Sequence, residues 1–471
     1  QVILMEENMQ EITSFYKLLT DNADKYKDRT AILYDTYDVS YNNFMEDAVK
    51  KAMHLKQYAG KRIALCGPTS YRWIVNLFGI VMAGKDAILV DFFLPHDERS
   101  SLLERIKTDY ILSSTNQYIL ADEHAIIIAG ADHDNEVDIQ DYDKNIREGN
   151  ILLFTATADE SDKAVVLTTS NLLNTVKAIS SRCKCDSDDR VLAQTPLHHI
   201  FGLAYSLLWP LTKGACVCVG RGLRHIDADT YYYNATILPG TPSMIKYLKK
   251  VKAFNKELRT IIIGGATCPY RLFEYLKDRD YEVYSIYGMT ECSGCIAISN
   301  HMDGSYDIYD GTEVTLSKDG EILVSGPCVM AGYDKDDITN DKVITDNAYH
   351  TRDYGHFSHD GRLVLDRRNA GILLLPTGEK ICRKVVNEEV TSINGVAESF
   401  LGLCDDKLTA VVVPVKKNIR YETMKRKIDR YNEKKGFRWE IQKLILLDRP
   451  LPRFEDGSLD FNEIEDIMIK Q

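Results

Sequence analysis

From residue 40 onward the hydrophobic positions fall into two alternating textures. One is a short, nearly continuous apolar run, as in KRIALCG, AILVD, RVLAQT, ACVCVG, ATILPG, LRTIIIGGA and YEVYSIYG. The other is a longer amphipathic or apolar stretch, as in YNNFMEDAVKKAMHL, YRWIVNLFGIVMAG, SNLLNTVKAISSRC, PSMIKYLKKV and YRLFEYLKD. The first texture predicts strands covered on both faces and the second predicts the helices that cover them, so their alternation predicts mostly parallel sheets. Ser40 stands where it can cap the first of these helices. Several runs end in Gly, Pro or small residues, at the strand end where α/β proteins place ligands.

After about residue 305 the texture changes to short strands, EILVSG, VMAGY, GRLVLDRR and GILLLP, separated by the turn signals KDG, HDG and PTG. This predicts a small β-rich unit. The last part has its own alternation, with AVVVPV, the charged and solvated helix YETMKRKIDRYNEKK and the strand IQKLILLD, enough for a small α+β domain. The expected division is a large α/β domain over 1–365, a hinge at 366–370 within DRRNAG, and a small domain over 371–471.

A formal charge of −12 argues against nucleic acid or an anionic membrane as the main partner, since both need a basic face. The first residues lack the pattern of a secretory signal, and no apolar run approaches the ~18 residues needed to cross a bilayer, so a cytoplasmic location is expected. Eleven scattered cysteines fit reduced thiols better than a disulfide framework. Cys292 and Cys295 alone have C-x-x-C spacing, without a partner pair at zinc-ligand distance, and His350, His356 and His359 read as a solvated turn region with no metal.

SIYGMTECSG, residues 285 to 294, resembles the YGMTE signature of the adenylate-forming superfamily, which includes acyl- and aryl-CoA synthetases, luciferases and peptide-synthetase adenylation domains. Other blocks recur in the same order. PLHHIFGLAYSLLWPLTKGA resembles the family's PLFHxFG segment, LRTIIIGGA its strand ending in GGA, and GEILVSGPCVMAGY its GPxxMxGY segment. HTRDYGHFSHDGRLVLDRR resembles its TGD run, TGEKI its GEKI turn, and LPRFEDGSLD its C-terminal LPRTxxGKI segment.

The resemblance implies an αβαβα-type layering of the large domain, a mobile small domain and a two-step chemistry. A carboxylate attacks the α-phosphate of ATP to give an acyl-adenylate and pyrophosphate; a thiol, from CoA or a carrier protein, then displaces AMP. It implies that Thr290 contacts the α-phosphate and Glu291 holds Mg²⁺, that Tyr287, Gly288, Gly264, Gly265 and Ala266 flank the adenine, and that Asp353 accepts the ribose hydroxyls. Arg367 would contact ribose or phosphate with Asn369 as the pivot, Lys163 would belong to the phosphate loop, and His199 would gate the acyl or thiol channel beside Phe201.

Three departures bear on activity. FTATADESDKAVVLTTSNL lies over the glycine-rich loop YTSGTTGKPKGVxLTHxNL, so the glycines become Thr157, Glu160 and Ala164, while Thr155, Lys163, Leu167, Thr168 and Asn171 stay in register. Such a loop needs cheap positive φ and closely approaching N–H groups, which glycine supplies. Asp159, Glu160 and Asp162 add repulsion: unit charges about 6 Å apart at a dielectric of 20 to 80 oppose each other by about 1 to 3 kcal/mol per pair. Ser458 stands where the pattern has the adenylating lysine, and Arg352 where it has the glycine of TGD; Arg383 and Asn387 replace Pro and Glu near the GEKI block.

The expectation is therefore a ligase-like protein that binds AMP or an acyl-adenylate better than it makes one, its substrate an apolar acyl (fatty) or aryl acid. No aspartate follows His199 to pair an α-amine. The alternative is a non-catalytic homologue that binds a ligand or a protein. A nicotinamide oxidoreductase is excluded for want of a G-x-G-x-x-G turn after a strand.

Overall fold

The computed structural model describes residues 12–114, 126–128, 138–156, 162–266, 268–367, 372–375, 380–405, 407–416, 419–435, 440–453, 459 and 461–470. The chain divides into two compact units: Gln1–Phe92, Ser100–Phe154 and Ala164–Arg368 form the larger, and Phe93–Arg99, Thr155–Lys163 and Asn369–Gln471 the smaller.

The apolar runs build two large sheets. The first has nine strands in the order Asp307–Ile308, Ala297–Ser299, Glu282–Tyr287, Thr260–Ile263, Ile237–Gly240, Arg190–Ala193, Cys216–Val219, Thr30–Tyr34 and Tyr37–Ser40. From Glu282–Tyr287 through Thr30–Tyr34 all neighbours are parallel, and the outer strands pair antiparallel. Parallel neighbours need a crossover, which the helices Pro242–Val251 and Tyr270–Lys277 provide. Thr241 caps the first by accepting from the Met244 N–H, Pro242 fits its first position, and Met244, Ile245 and Leu248 are buried at helical spacing. Ile261, Ile262 and Ile263 are fully buried, as a strand covered on both faces must be.

The second sheet has seven strands, Gly332–Tyr333, Asp162–Leu167, Ile151–Ala156, Asp86–Leu89, Arg62–Cys66, Tyr110–Ser113 and Ile126–Ile128. The helix Tyr71–Met82 is buried from Trp73 to Met82 in a core shared by both sheets, which is why it reads apolar almost all round. Ser70 caps it by accepting from the Trp73 N–H, and Ser40 caps Tyr41–Lys56 through Asn43, as expected. Truncating Phe78 to Ala in that core would cost about 3–5 kcal/mol.

Two elements differ from the sequence reading. VMAGY does not join the β-rich unit: Gly332–Tyr333 pairs antiparallel with Val166 and Val165 at the edge of the seven-stranded sheet. Arg62 fixes that excursion by gripping both oxygens of Asp334, at 2.8 and 2.6 Å. His350 lies in the strand Ala348–Phe357 rather than in a solvated turn, its Nδ1 at 3.1 Å from Glu321 Oε2; His356, exposed near the end of that strand, has its Nδ1 at 2.8 Å from Asp366 Oδ1, and His359 lies in an exposed turn as expected. That strand belongs to a five-stranded sheet with Glu313–Leu316, Glu321–Ser325, Ile344–Thr345 and Leu363–Arg367.

In the smaller unit, Val396–Cys404, Lys407–Pro414 and Lys443–Leu446 form one sheet and Ile372–Leu374 with Lys380–Cys382 another. The charged helix Tyr421–Lys435 buries only Met424 and Ile428. Asn369 in the expected hinge, the loop residues Thr157, Asp159 and Glu160, and Ser458 lie outside the described residues. Among the described residues no helix is long and apolar enough to cross a membrane.

Candidate nucleotide site

The nine-stranded sheet assembles one end of the site by register alone. Gly240 pairs with Ile263 and Ile263 with Ser285, so Gly264, Gly265 and Ala266 follow their strand beside Tyr287 and Gly288. Two of these glycines are fixed by packing. A Cβ on Gly264 would sit 2.2 Å from the Phe201 ring, and one on Gly288 would sit 2.3 Å from the Gly294 carbonyl oxygen. The contact with Phe201 brings the histidine segment to the same strand end. There the rings of His198 and His199 lie 4.4 Å apart, with His198 Nε2 at 3.7 Å from Asp91 Oδ1.

After Tyr287 the chain makes a short 3-10 turn, Thr290–Cys292, led by Met289 in extended conformation rather than by a capping side chain. Ser293, at φ 52°, reverses the chain and donates its hydroxyl to the Cys328 carbonyl at 2.8 Å, while the Met330 N–H donates to the Glu291 carbonyl at 2.8 Å. The GPCVM segment is thereby stitched to the turn. Asn171, in a capping box with Thr168, ties the same segment to the helix Thr169–Arg182 by donating to the carbonyls of Pro327 at 2.7 Å and Val329 at 2.9 Å. Cys292 and Cys295 are fully buried, and burial pushes the Cys295 thiol well up.

Thr290 and Glu291 are buried. The Glu291 Oε1 accepts from the Tyr333 hydroxyl at 3.0 Å, and that hydroxyl lies 3.3 Å from the Tyr349 hydroxyl. Burial, and then the Glu291 carboxylate, push the Tyr333 phenol well above its ordinary range, so it remains a donor. Glu291 Oε2 is buried without a hydrogen-bond partner. Leaving a carboxylate oxygen so costs free energy that a cation would recover. Mg²⁺ fits this oxygen, because it takes one or two carboxylates and fills its remaining positions with water and phosphate oxygens. Among the described residues no group of three His, Cys, Asp or Glu side chains offers an all-protein cage.

Asp353 enters from the five-stranded sheet through a bulge. Glu321 pairs with Tyr354, but Leu323 already pairs with His350, so the strand Ala348–Phe357 carries extra residues opposite its partner. Arg352 sits in the bulge at φ 59°, a left-handed conformation that costs a non-glycine residue about 1 kcal/mol. Thr351 holds it by donating to the Ile322 carbonyl at 2.7 Å and accepting from the Asp353 N–H at 3.1 Å, and Glu321 by accepting from the Arg352 N–H at 2.9 Å. Asp353 is buried there, and its Oδ2 accepts from the Tyr287 hydroxyl at 3.0 Å.

The larger unit thus brings together Gly264, Gly265 and Ala266 with Tyr287 and Gly288, Tyr287 with Asp353, and Phe201 with Gly264, while Thr290 and Glu291 continue the Tyr287 turn. Lys163 belongs to the smaller unit, on the strand Asp162–Leu167. Arg367 ends Leu363–Arg367, its backbone paired with Tyr354. Sequence reasoning missed Tyr333 and Tyr349. Tyr333 closes the GPCVMAGY block, but no spacing rule foretells that its hydroxyl reaches a glutamate 42 residues earlier.

The family model of the AMP-binding enzymes matches residues 19–334, and the chain belongs to that family. Among its relatives, the 2-succinylbenzoate–CoA ligases of Bacillus licheniformis and Bacillus cereus are each 26% identical, covering 83% and 94% of this chain and 86% and 96% of their own. The o-succinylbenzoate CoA synthetase of Bacillus subtilis has the same fold. Bound to a product analogue it superposes with a TM-score of 0.79 at 20% identity, covering 95% of this chain and 98% of the other. Its complex with ATP and a magnesium ion gives 0.67 at 21%, covering 95% and 99%.

Proposed function

We propose that this chain is an AMP-forming acid–CoA-ligase-like protein that binds AMP or an acyl-adenylate in its larger unit. The observation that carries the reading is the buried Tyr287–Asp353 pair beside the glycine-lined strand ends, whose carboxylate would meet a ribose. A carboxylate is suited to that task because it only accepts, and a ribose offers two hydroxyl donors. Gly264, Gly265, Ala266 and Gly288 would flank the adenine, Thr290 the α-phosphate, and Arg367 and Lys163 further phosphate oxygens. Mg²⁺, where bound, supplies positive charge to phosphate oxygens, and Glu291 would hold it through Oε2.

In the ligase chemistry a carboxylate oxygen bonds to the α-phosphorus as the bond to pyrophosphate breaks. A thiolate then bonds to the acyl carbon as AMP leaves. His199, near Phe201, would border the acyl or thiol channel. The relatives favour an aryl acid over a fatty acid, and CoA over a carrier protein, as the partners. The small domain from 371, turning about a hinge at 366–370, and a cytoplasmic location belong to the same proposal.

Asp159, Glu160 and Asp162 in the phosphate loop, and Ser458 in place of lysine, favour impairment of the first half-reaction. They also support the second reading, a non-catalytic homologue that keeps only the ligand pocket. Calorimetry with AMP, ATP and a nonhydrolysable acyl-adenylate, followed by acyl transfer from an adenylate to CoA, tests both. Adenylate binding with transfer supports the ligase-like reading, binding without transfer supports the second, and the absence of any nucleotide binding overturns the nucleotide site itself.

A further inference from the structure

Arg352 is the residue of this cluster that the resemblance does not explain. The pattern has glycine there, and the backbone shows why: the bulge requires a left-handed residue, which glycine adopts without strain. An arginine in its place is strained, and strained residues of this kind cluster where a side chain is aimed at a task. The bulge is tied down on both sides by Thr351 and Glu321, so the position of Arg352 is imposed by the sheet. Its neighbours in the fold are acidic or accepting: Asp353 follows it directly, and the Asp353 carboxylate meets Tyr287. Its guanidinium lies within electrostatic reach of the Tyr333 phenol, which it draws down weakly against burial.

We infer that Arg352 is a phosphate-binding cation, placed on the Asp353 bulge to contact the phosphate of a bound nucleoside monophosphate or adenylate. It would supply a positive group to a protein whose sequence has Ser458 in place of the pattern's lysine. A guanidinium is well matched to this duty, since its planar fork can give two parallel hydrogen bonds to one phosphate and it stays charged at any working pH. The inference rests on the nucleotide-binding reading given above.

Calorimetry on the full chain with AMP and with adenosine tests it, using R352G and R352K. R352G restores the residue that the backbone prefers, so loss of fold is not expected. The expected result is AMP affinity lower by about tenfold or more in R352G, partly restored in R352K, with adenosine affinity unchanged. Equal AMP affinity in wild type and R352G overturns the inference and leaves the nucleotide site standing. Parallel losses of AMP and adenosine overturn it too, because they mark a merely structural role. Wild-type protein that binds neither ligand removes both readings.

Discussion

The Tyr287 hydroxyl donates to Asp353 Oδ2 across 3.0 Å, although 66 residues separate the two in the chain. One comes from the end of a parallel strand in the nine-stranded sheet, the other from a bulge in a different sheet, so the bond closes the site between them. Replacing Tyr287 with Phe leaves a buried carboxylate short of a donor, at a cost of about 1–3 kcal/mol. The expected outcome is a lower urea midpoint with an unchanged slope. Asp353→Asn should weaken adenosine and AMP together, by about tenfold, in the same calorimetric assay.

Glu291→Gln separates the cation from the fold. Among the described residues Oε2 has no hydrogen-bond partner, and the amide oxygen can keep the Tyr333 donor, so apo stability should change little. Binding of a nonhydrolysable ATP analogue should lose its dependence on Mg²⁺, while AMP without metal binds as before. Persisting Mg²⁺ dependence would show that another group holds the ion.

Changing Asp159 to Thr, Glu160 to Gly and Asp162 to Asn removes three like charges from the phosphate loop. If the loop wraps the outer phosphates, as the family pattern implies, ATP affinity at low salt should rise by more than about tenfold with AMP affinity unaffected. Adding Ser458→Lys on that background should produce ATP–pyrophosphate exchange with an aryl acid. Efficient exchange in the unaltered chain would contradict the assignment of these residues as defects.

Gly264→Ala places a methyl group 2.2 Å from the Phe201 ring, so ring or strand must move. Overpacking of this kind costs about 1–3 kcal/mol. A lower thermal midpoint is expected, together with weaker AMP binding measured by calorimetry, since the proposed function places Gly264 beside the adenine.

Much of the fold was legible because alternating apolar runs and amphipathic stretches have few packed solutions, and the cap at Ser40 needs only local sequence. The site was legible where a block is contiguous, as in Tyr287 to Glu291. It was illegible where side chains from distant segments meet. The Tyr333 and Tyr349 hydroxyls join Glu291 only because Gly332–Tyr333 leaves the β-rich region for the edge of another sheet, and that choice is made by pairing with Val165 and Val166. His350 was misread for the same reason: its carboxylate partner lies on a neighbouring strand, 29 residues away.

The aromatic ring of Phe201 rests against a residue that has no side chain to resist it. The two positions therefore set each other's size: bulk can be added at Gly264 only where the ring of Phe201 gives way.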